Sequence, residues 1–202
     1  MRLFSAAGCP FAQRTRALLQ LLDTPYELVE VDLSNKSGEF LALSPTGAVP
    51  VLDDGGFVVF ESAVINEYLA EKLGWKEAFG EDVQQRARER LAMRRFDDFV
   101  VPLFYRSLGD PSAIAQSATL RRELAVIAGA VAGRAPAGLI GLHLATHFVR
   151  WEWVAAGGVA MRGLREALGG YVDAAMGQAS IQATNPDREK TTALLRQRFK
   201  VP

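Results

Sequence analysis

Up to about residue 75, short runs of β-branched and aromatic residues alternate with runs whose apolar positions recur at helical spacing. Arg2 to Phe4 predicts a first strand. The Gly8-Cys9-Pro10 loop then opens a helix whose inward side repeats at Phe11, Thr15, Leu18, Leu19 and Leu22, and Thr24-Pro25 ends it. Tyr26 to Val31 predicts a second strand, and Asp32 to Leu43 a loop with a helical turn. Val49 to Leu52 and Phe57 to Phe60 flank Asp53-Asp54-Gly55-Gly56, a hairpin signal with glycines for the positive-φ positions. Ser62 caps a helix running to about Leu73. Strand, helix, strand, loop, strand, strand, helix makes a compact α/β domain over residues 1–75.

Residues 82–202 read as a second, all-helical domain. Glu81 and Asp82 suit a helix N-terminus, Leu91, Phe96, Phe99, Val100 and Leu103 supply its buried stripe, and Pro102 predicts a kink or an end. Further helices are predicted over 117–132, 142–155, 159–176 and 187–199, separated by Gly133 to Gly141, Gly157-Gly158 and Asn185-Pro186.

Charge and composition remove several classes of function. With 23 Lys plus Arg against 23 Asp plus Glu, no bulk charge draws the chain to nucleic acid or anionic lipid. The run Arg86, Arg88, Arg90, Arg94, Arg95, interleaved with Glu89, reads as a salt-bridged helix face or subunit contact. Cys9 is the one cysteine, which excludes an intrachain disulfide and a Cys-rich metal site and points to a reducing, cytoplasmic setting. The first ten residues lack the basic-then-apolar pattern of a secretory signal, and no apolar run reaches the ~18 residues of a membrane span. The most apolar region, Ala135 to Ala156, is broken by Pro136, His143, His147, Arg150 and Glu152. His143 and His147 stand at chelation spacing, but HLATH lacks the glutamate of the H-E-x-x-H motif and a third ligand, so no metal is expected. Phe148, Trp151 and Trp153 read as packing.

The candidate chemistry lies at Cys9. A thiol at a helix N-terminus faces free N–H groups and the positive end of the dipole, which favour the thiolate, and Pro10 suits the first helical turn. Arg14 and Arg16 add positive charge one to two turns on. Singly, Ser62 reads as a helix cap, Pro50 as a strand start and Lys36 as a solvated loop lysine.

Together, CPFAQRTR from Cys9 to Arg16, VPVL from Val49 to Leu52 and Glu61-Ser62 resemble the N-terminal, thioredoxin-like domain of glutathione transferases, in particular their cysteine-bearing omega-type branch. The helical remainder fits that family's second domain. The resemblance implies a cis Val49-Pro50 bond, with the Val49 backbone pairing with the cysteinyl unit of glutathione like an added strand. It implies Ser62 and its helix N-terminus at the γ-glutamyl carboxylate, Glu61 at the ammonium group, and Lys36 at the glycyl carboxylate. Phe11 is counted with these glutathione-binding residues, and Phe11, Phe104 and Tyr105 become candidates for the acceptor-substrate pocket between the domains. A homodimer, glutathione as co-substrate and a small-molecule or disulfide acceptor are implied likewise.

With Ala12 where a C-x-x-C motif has its second cysteine, the implied chemistry is monothiol exchange at Cys9, with a deglutathionylating lyase reaction as a variant. Conjugation of electrophiles would need a hydroxyl activator, for which Ser5 is in range, and a non-catalytic scaffold binding a protein partner would need neither. One departure stands out. The family's second domain has a Ser or Thr followed three residues later by Asp at a helix start, and the corresponding stretch here reads as His143-Leu144-Ala145-Thr146, without the carboxylate.

Overall fold

The computed structural model of the chain describes residues 1–110, 118–155 and 159–201. The expected helix start at Ser117 and the Gly157-Gly158 break fall outside them. The first part runs β1 (Arg2–Ser5), α1 (Pro10–Leu21), β2 (Glu27–Glu30), α2 (Gly38–Leu43), β3 (Val51–Asp54), β4 (Phe57–Phe60) and α3 (Ser62–Lys72). The sheet order is β2-β1-β3-β4, with β2 parallel to β1 and the other neighbours antiparallel. This is a thioredoxin-like arrangement, and α1 is the crossover that a parallel pair requires.

The side-chain alternation of β1 and β3 divides the apolar residues between the two faces of the sheet. Leu3 and Leu52 join Leu18, Leu19, Ile65 and Leu69 in the cluster that continues into the helical half. Phe4 and Val51 join Ala12, Val31, Phe40 and Val49 on the other face. The hairpin is tighter than the sequence suggested. Asp53 and Asp54 pair with Val58 and Phe57, so only Gly55 and Gly56 turn, at φ 66° and 97°. At its other end β3 begins at Val51 and not Val49, because Pro50 has no N–H for the ladder.

The helical half contains α4 (Val83–Arg95), α5 (Val101–Gly109), α6 (Ala118–Val131), α7 (Leu139–Ala155), α8 (Val159–Met176), α9 (Ala179–Ala183) and α10 (Arg188–Phe199). Pro102 does not end the helix that it was expected to interrupt. A π turn over Phe96–Val100 joins α4 to α5, its Val101 N–H bonding to the Phe96 carbonyl just before Pro102, which has no N–H to give. Leu91, expected in the buried stripe, is exposed, because five residues before Phe96 it stands about 140° around the helix from it, while Ala92, Met93 and Phe96 turn inward. The arginine run makes ion pairs to Glu67 (from Arg90, 2.8 Å), Asp98 (from Arg94, 2.6 Å) and Glu123 (from Arg95).

α7 starts at Leu139, one turn before the expected start, so His143 to Thr146 lie inside the helix. The cap position belongs to Gly138, whose carbonyl accepts the Leu142 N–H at 3.2 Å. The residue three places on is Gly141, and the Pro136 carbonyl oxygen lies 1.7 Å from where its Cβ would be. Main chain thus fills the space of a capping side chain. No helix among the described residues is long and apolar enough to cross a membrane.

Candidate active site

Cys9 is the N-cap of α1, half-buried, with its carbonyl accepting the Gln13 N–H at 3.0 Å and its own N–H bonded to Ala6 O at 3.0 Å. Its sulfur lies 3.9 Å from the Val49 carbonyl oxygen, across the gap between α1 and the residue that precedes Pro50. The Val49-Pro50 bond is cis. Beside this contact opens a cleft of about 220 Å³ lined by Phe11, Thr46, Ala48, Val49, Pro50, Phe60, Glu61 and Ser62. Phe11, Val49, Pro50, Glu61 and Ser62, singled out far apart in sequence, therefore share one cleft. Lys36 does not line it. Its Nζ rests against Gly47, 3.4 Å from where a Cβ would stand, between the cleft residues Thr46 and Ala48.

The wall opposite Val49 is the start of α3. Glu61 caps that helix at φ 70° and ψ 114°, a conformation in which L residues are strained. Its carbonyl accepts the Ile65 N–H at 2.9 Å, and its side chain makes no cap bond. Ser62, the first helical residue, accepts at Oγ from Arg14 Nη1 at 3.2 Å. With that lone pair engaged, the hydroxyl proton and the free N–H groups of the first turn are donors for an anionic group.

Arg14 is the centre of a buried polar network. It is fully buried, donates to Asp97 at 3.0 and 2.7 Å and to His143 O at 3.1 Å, and approaches His147 Nδ1 at 3.2 Å. His143 Nε2 lies 3.0 Å from the same carboxylate. Burial alone would raise the Asp97 pKa, but Arg14 and His143 outweigh it and hold the carboxyl far below its ordinary range. Both histidines are pushed down, by burial first and then by Arg14, and His147 the further. Since Arg14 only donates, the His147 tautomer carries its proton on Nε2. Phe11 connects this network to the cleft, packed edge-on against His147 at 4.8 Å and 4.7 Å from the Arg14 guanidinium carbon.

The loop before Cys9 is held by arginines as well. Arg16 donates to Ser5 Oγ, Ala6 O (3.2 Å) and Ala7 O (3.1 Å), and Arg150 Nε to Gly8 O at 3.1 Å. Ser5, weighed as a hydroxyl activator, is fully buried under Arg16 and does not line the cleft. Phe104, a candidate for the acceptor pocket, belongs to the core, stacked 4.0 Å from Trp151. Tyr105 is half-buried against Phe199 at 4.7 Å. Sequence reasoning missed Asp97 and the inward aim of Arg14, His143, His147 and Arg150. A signal existed: 143, 147 and 150 interrupt an apolar run at positions that share one helix face, and Asp97 sits between Phe96 and Phe99.

A family model described as glutathione S-transferase, N-terminal domain, matches residues 3–77. A probable glutathione transferase of Aplysia californica is 39% identical over 83 residues, which are 41% of this chain and 90% of that protein. Glutathione S-transferase omega-1 of Rattus norvegicus is 29% identical over 157 residues, 76% of this chain and 65% of its own length. The chain spans about half the length of the curated relatives it matches. Its fold is shared with glutathione transferase Omega 1C from Trametes versicolor, at a TM-score of 0.79 with 20% identity, covering 98% of this chain and 96% of that one. The chain belongs to the glutathione transferase family and resembles that family's omega-type branch.

Proposed function

We propose that this protein is a glutathione-dependent thiol transferase in which Cys9 is the nucleophile. The observation that carries the reading is the position of its sulfur, 3.9 Å from the Val49 carbonyl and beside the cleft that also collects Glu61 and Ser62. Glutathione would lie along that cleft, its γ-glutamyl carboxylate at Ser62 and the α3 N-terminus, its ammonium group at Glu61, its cysteinyl backbone at Val49 and its glycyl end toward Lys36. The Cys9 thiolate attacks the glutathionyl sulfur of a mixed disulfide, forming the Cys9–glutathione disulfide and releasing the substrate as a thiolate that takes a proton from solvent. A glutathione thiolate then attacks that disulfide, so glutathione disulfide leaves and Cys9 is restored. The sum is one mixed disulfide plus one glutathione to one free thiol plus glutathione disulfide.

Conjugation through a hydroxyl is the weaker reading because Ser5 is buried under Arg16. A scaffold without catalysis has no need of a strained Glu61 beside a free cysteine. The two units are assigned to residues 1–75 and 82–202, and a homodimer is expected from family membership. The test is the intact mass of wild type and Cys9→Ser after glutathione disulfide and then after glutathione. One glutathionyl adduct on wild type, reversed by glutathione and absent from Cys9→Ser, is the expected result; no adduct on wild type refutes thiol exchange.

A further inference from the structure

We propose that Arg150 is a positioning residue for Cys9, fixing the carbonyl next to the nucleophile and serving as the buried counter-charge of its thiolate. The inference rests on the thiol-exchange reading and adds to it a residue from the other half of the chain. Arg150 is fully buried on α7. Its Nε holds Gly8 O at 3.1 Å, and its Nη1 donates to Gln13 Oε1 and, at 2.7 Å, to Thr146 O. Every one of these acceptors is neutral, and Arg150 pairs with no carboxylate among the described residues. Nη2 is buried without a hydrogen-bond partner. A buried guanidinium with no anion is unfavourable, so an unpartnered nitrogen calls for an anion or a reason.

The charged and titratable groups around it identify that anion. They are Tyr105 on α5, Cys9 at the head of α1, and Arg16. Burial raises the Tyr105 hydroxyl, which is therefore neutral at physiological pH, and Arg198 of α10 adds only further positive charge beside it. Arg14 is matched by Asp97. Glu30 of β2 accepts the Ala7 N–H at 2.7 Å and is the carboxylate facing Arg16 rather than Arg150. Burial lowers Arg150 itself to about 10, which leaves it a cation at neutral pH. Cys9, joined directly to the Gly8 whose carbonyl Arg150 holds, is the remaining neighbour able to carry a negative charge. Since Nη2 is buried, it reaches no external ligand, and its effect on the reaction passes through the Cys9 loop.

The test follows alkylation of Cys9 by iodoacetamide as a function of pH in wild type, Arg150→Gln, Arg150→Lys and Gln13→Glu, with a melting curve for each. Iodoacetamide needs no glutathione site, which separates this inference from glutathione binding. Arg150→Gln is expected to move the rate–pH profile to higher pH, lowering the rate below the midpoint about tenfold. Arg150→Lys, which keeps the charge, should recover most of it. Gln13→Glu gives Arg150 a carboxylate of its own and should move the profile the same way as Arg150→Gln, with Arg150 still in place. Profiles that superimpose on wild type, whatever the melting temperatures, overturn the inference and leave Arg150 a packing residue. A wild-type Cys9 unreactive at neutral pH overturns the thiol-exchange reading and this inference with it.

Discussion

Replacing Asp97 by Asn removes one charge and almost no volume from the buried network, which makes it the sharpest probe of how the two halves are joined. The Asp97 carboxylate receives Arg14 at 3.0 and 2.7 Å and His143 at 3.0 Å. Removing one partner of a buried pair costs about 3–5 kcal/mol, because the remaining charge is left without compensation. The Asp97 side chain is 25% exposed and Arg14 0%, so water relieves part of the loss and the lower end, about 3 kcal/mol, applies. For a chain of this size that is a fall in Tm of roughly 10 °C. Calorimetry on Asp97→Asn, Arg14→Met and the double variant checks it, with the double variant expected to lose clearly less than the sum of the two singles. Because Arg14 Nη1 also holds Ser62 Oγ, Asp97→Asn should raise KM for glutathione as well. A Tm within 2 °C of wild type, or additive losses, would refute the argument that Asp97 compensates Arg14.

Two further predictions concern pH and packing. His143 and His147 are the chain's only histidines, and both are lowered by burial, so below about pH 6.5 the unfolded chain binds protons that the folded one refuses. Stability must then fall as pH drops from 7 toward 5, by up to about 1.4 kcal/mol per unit for each histidine that stays neutral. Asp97, held low by Arg14 and His143 against its burial, retains its contribution until pH falls through its depressed value, so it adds nothing in that window. Melting curves across that range test the slope, which His147→Gln should flatten; a flat wild-type profile contradicts the assignment. Gly141→Ala should destabilise by about 1–3 kcal/mol because the Pro136 carbonyl must move, whereas Gly129→Ala, in α6 with open space around it, should be neutral or slightly stabilising. Equal Tm values for the two variants would refute the packing argument.

The order of elements in residues 1–75 was legible because strand alternation and helical spacing are local properties, and so was Cys9 at a helix start, from a cysteine ahead of a proline. The gathering of Val49, Pro50, Glu61 and Ser62 in one cleft was accessible only through family resemblance, since no local pattern brings positions 11, 49 and 61 together. The polar network was legible only in part, through the polar interruptions at 143, 147 and 150 in an apolar run. Arg14 looks like any charged residue on a helix until Asp97 is placed against it, and their separation of 83 positions leaves no periodic trace. The start of α7 was misplaced for a related reason: a cap made by Gly138 and by the main chain of Pro136 leaves no side-chain signature.

The burial of α1 determines what can be done with this chain by dissection. Gln13 Nε2 reaches Ile181 O at 3.3 Å, Thr184 Oγ1 at 3.3 Å and Asn185 Oδ1 at 2.9 Å, while Arg14 reaches Asp97 and Arg150 reaches back to Gly8. The helix that begins at the nucleophile is finished, chemically, by residues from the far end of the sequence. A fragment cut after α3 would keep every strand of the sheet and still expose a helix face of severed donors, with Cys9 at the head of a loop relieved of one of its two arginine anchors. The α/β half is a recognisable module on paper, and in the folded molecule it is inseparable from its helical partner.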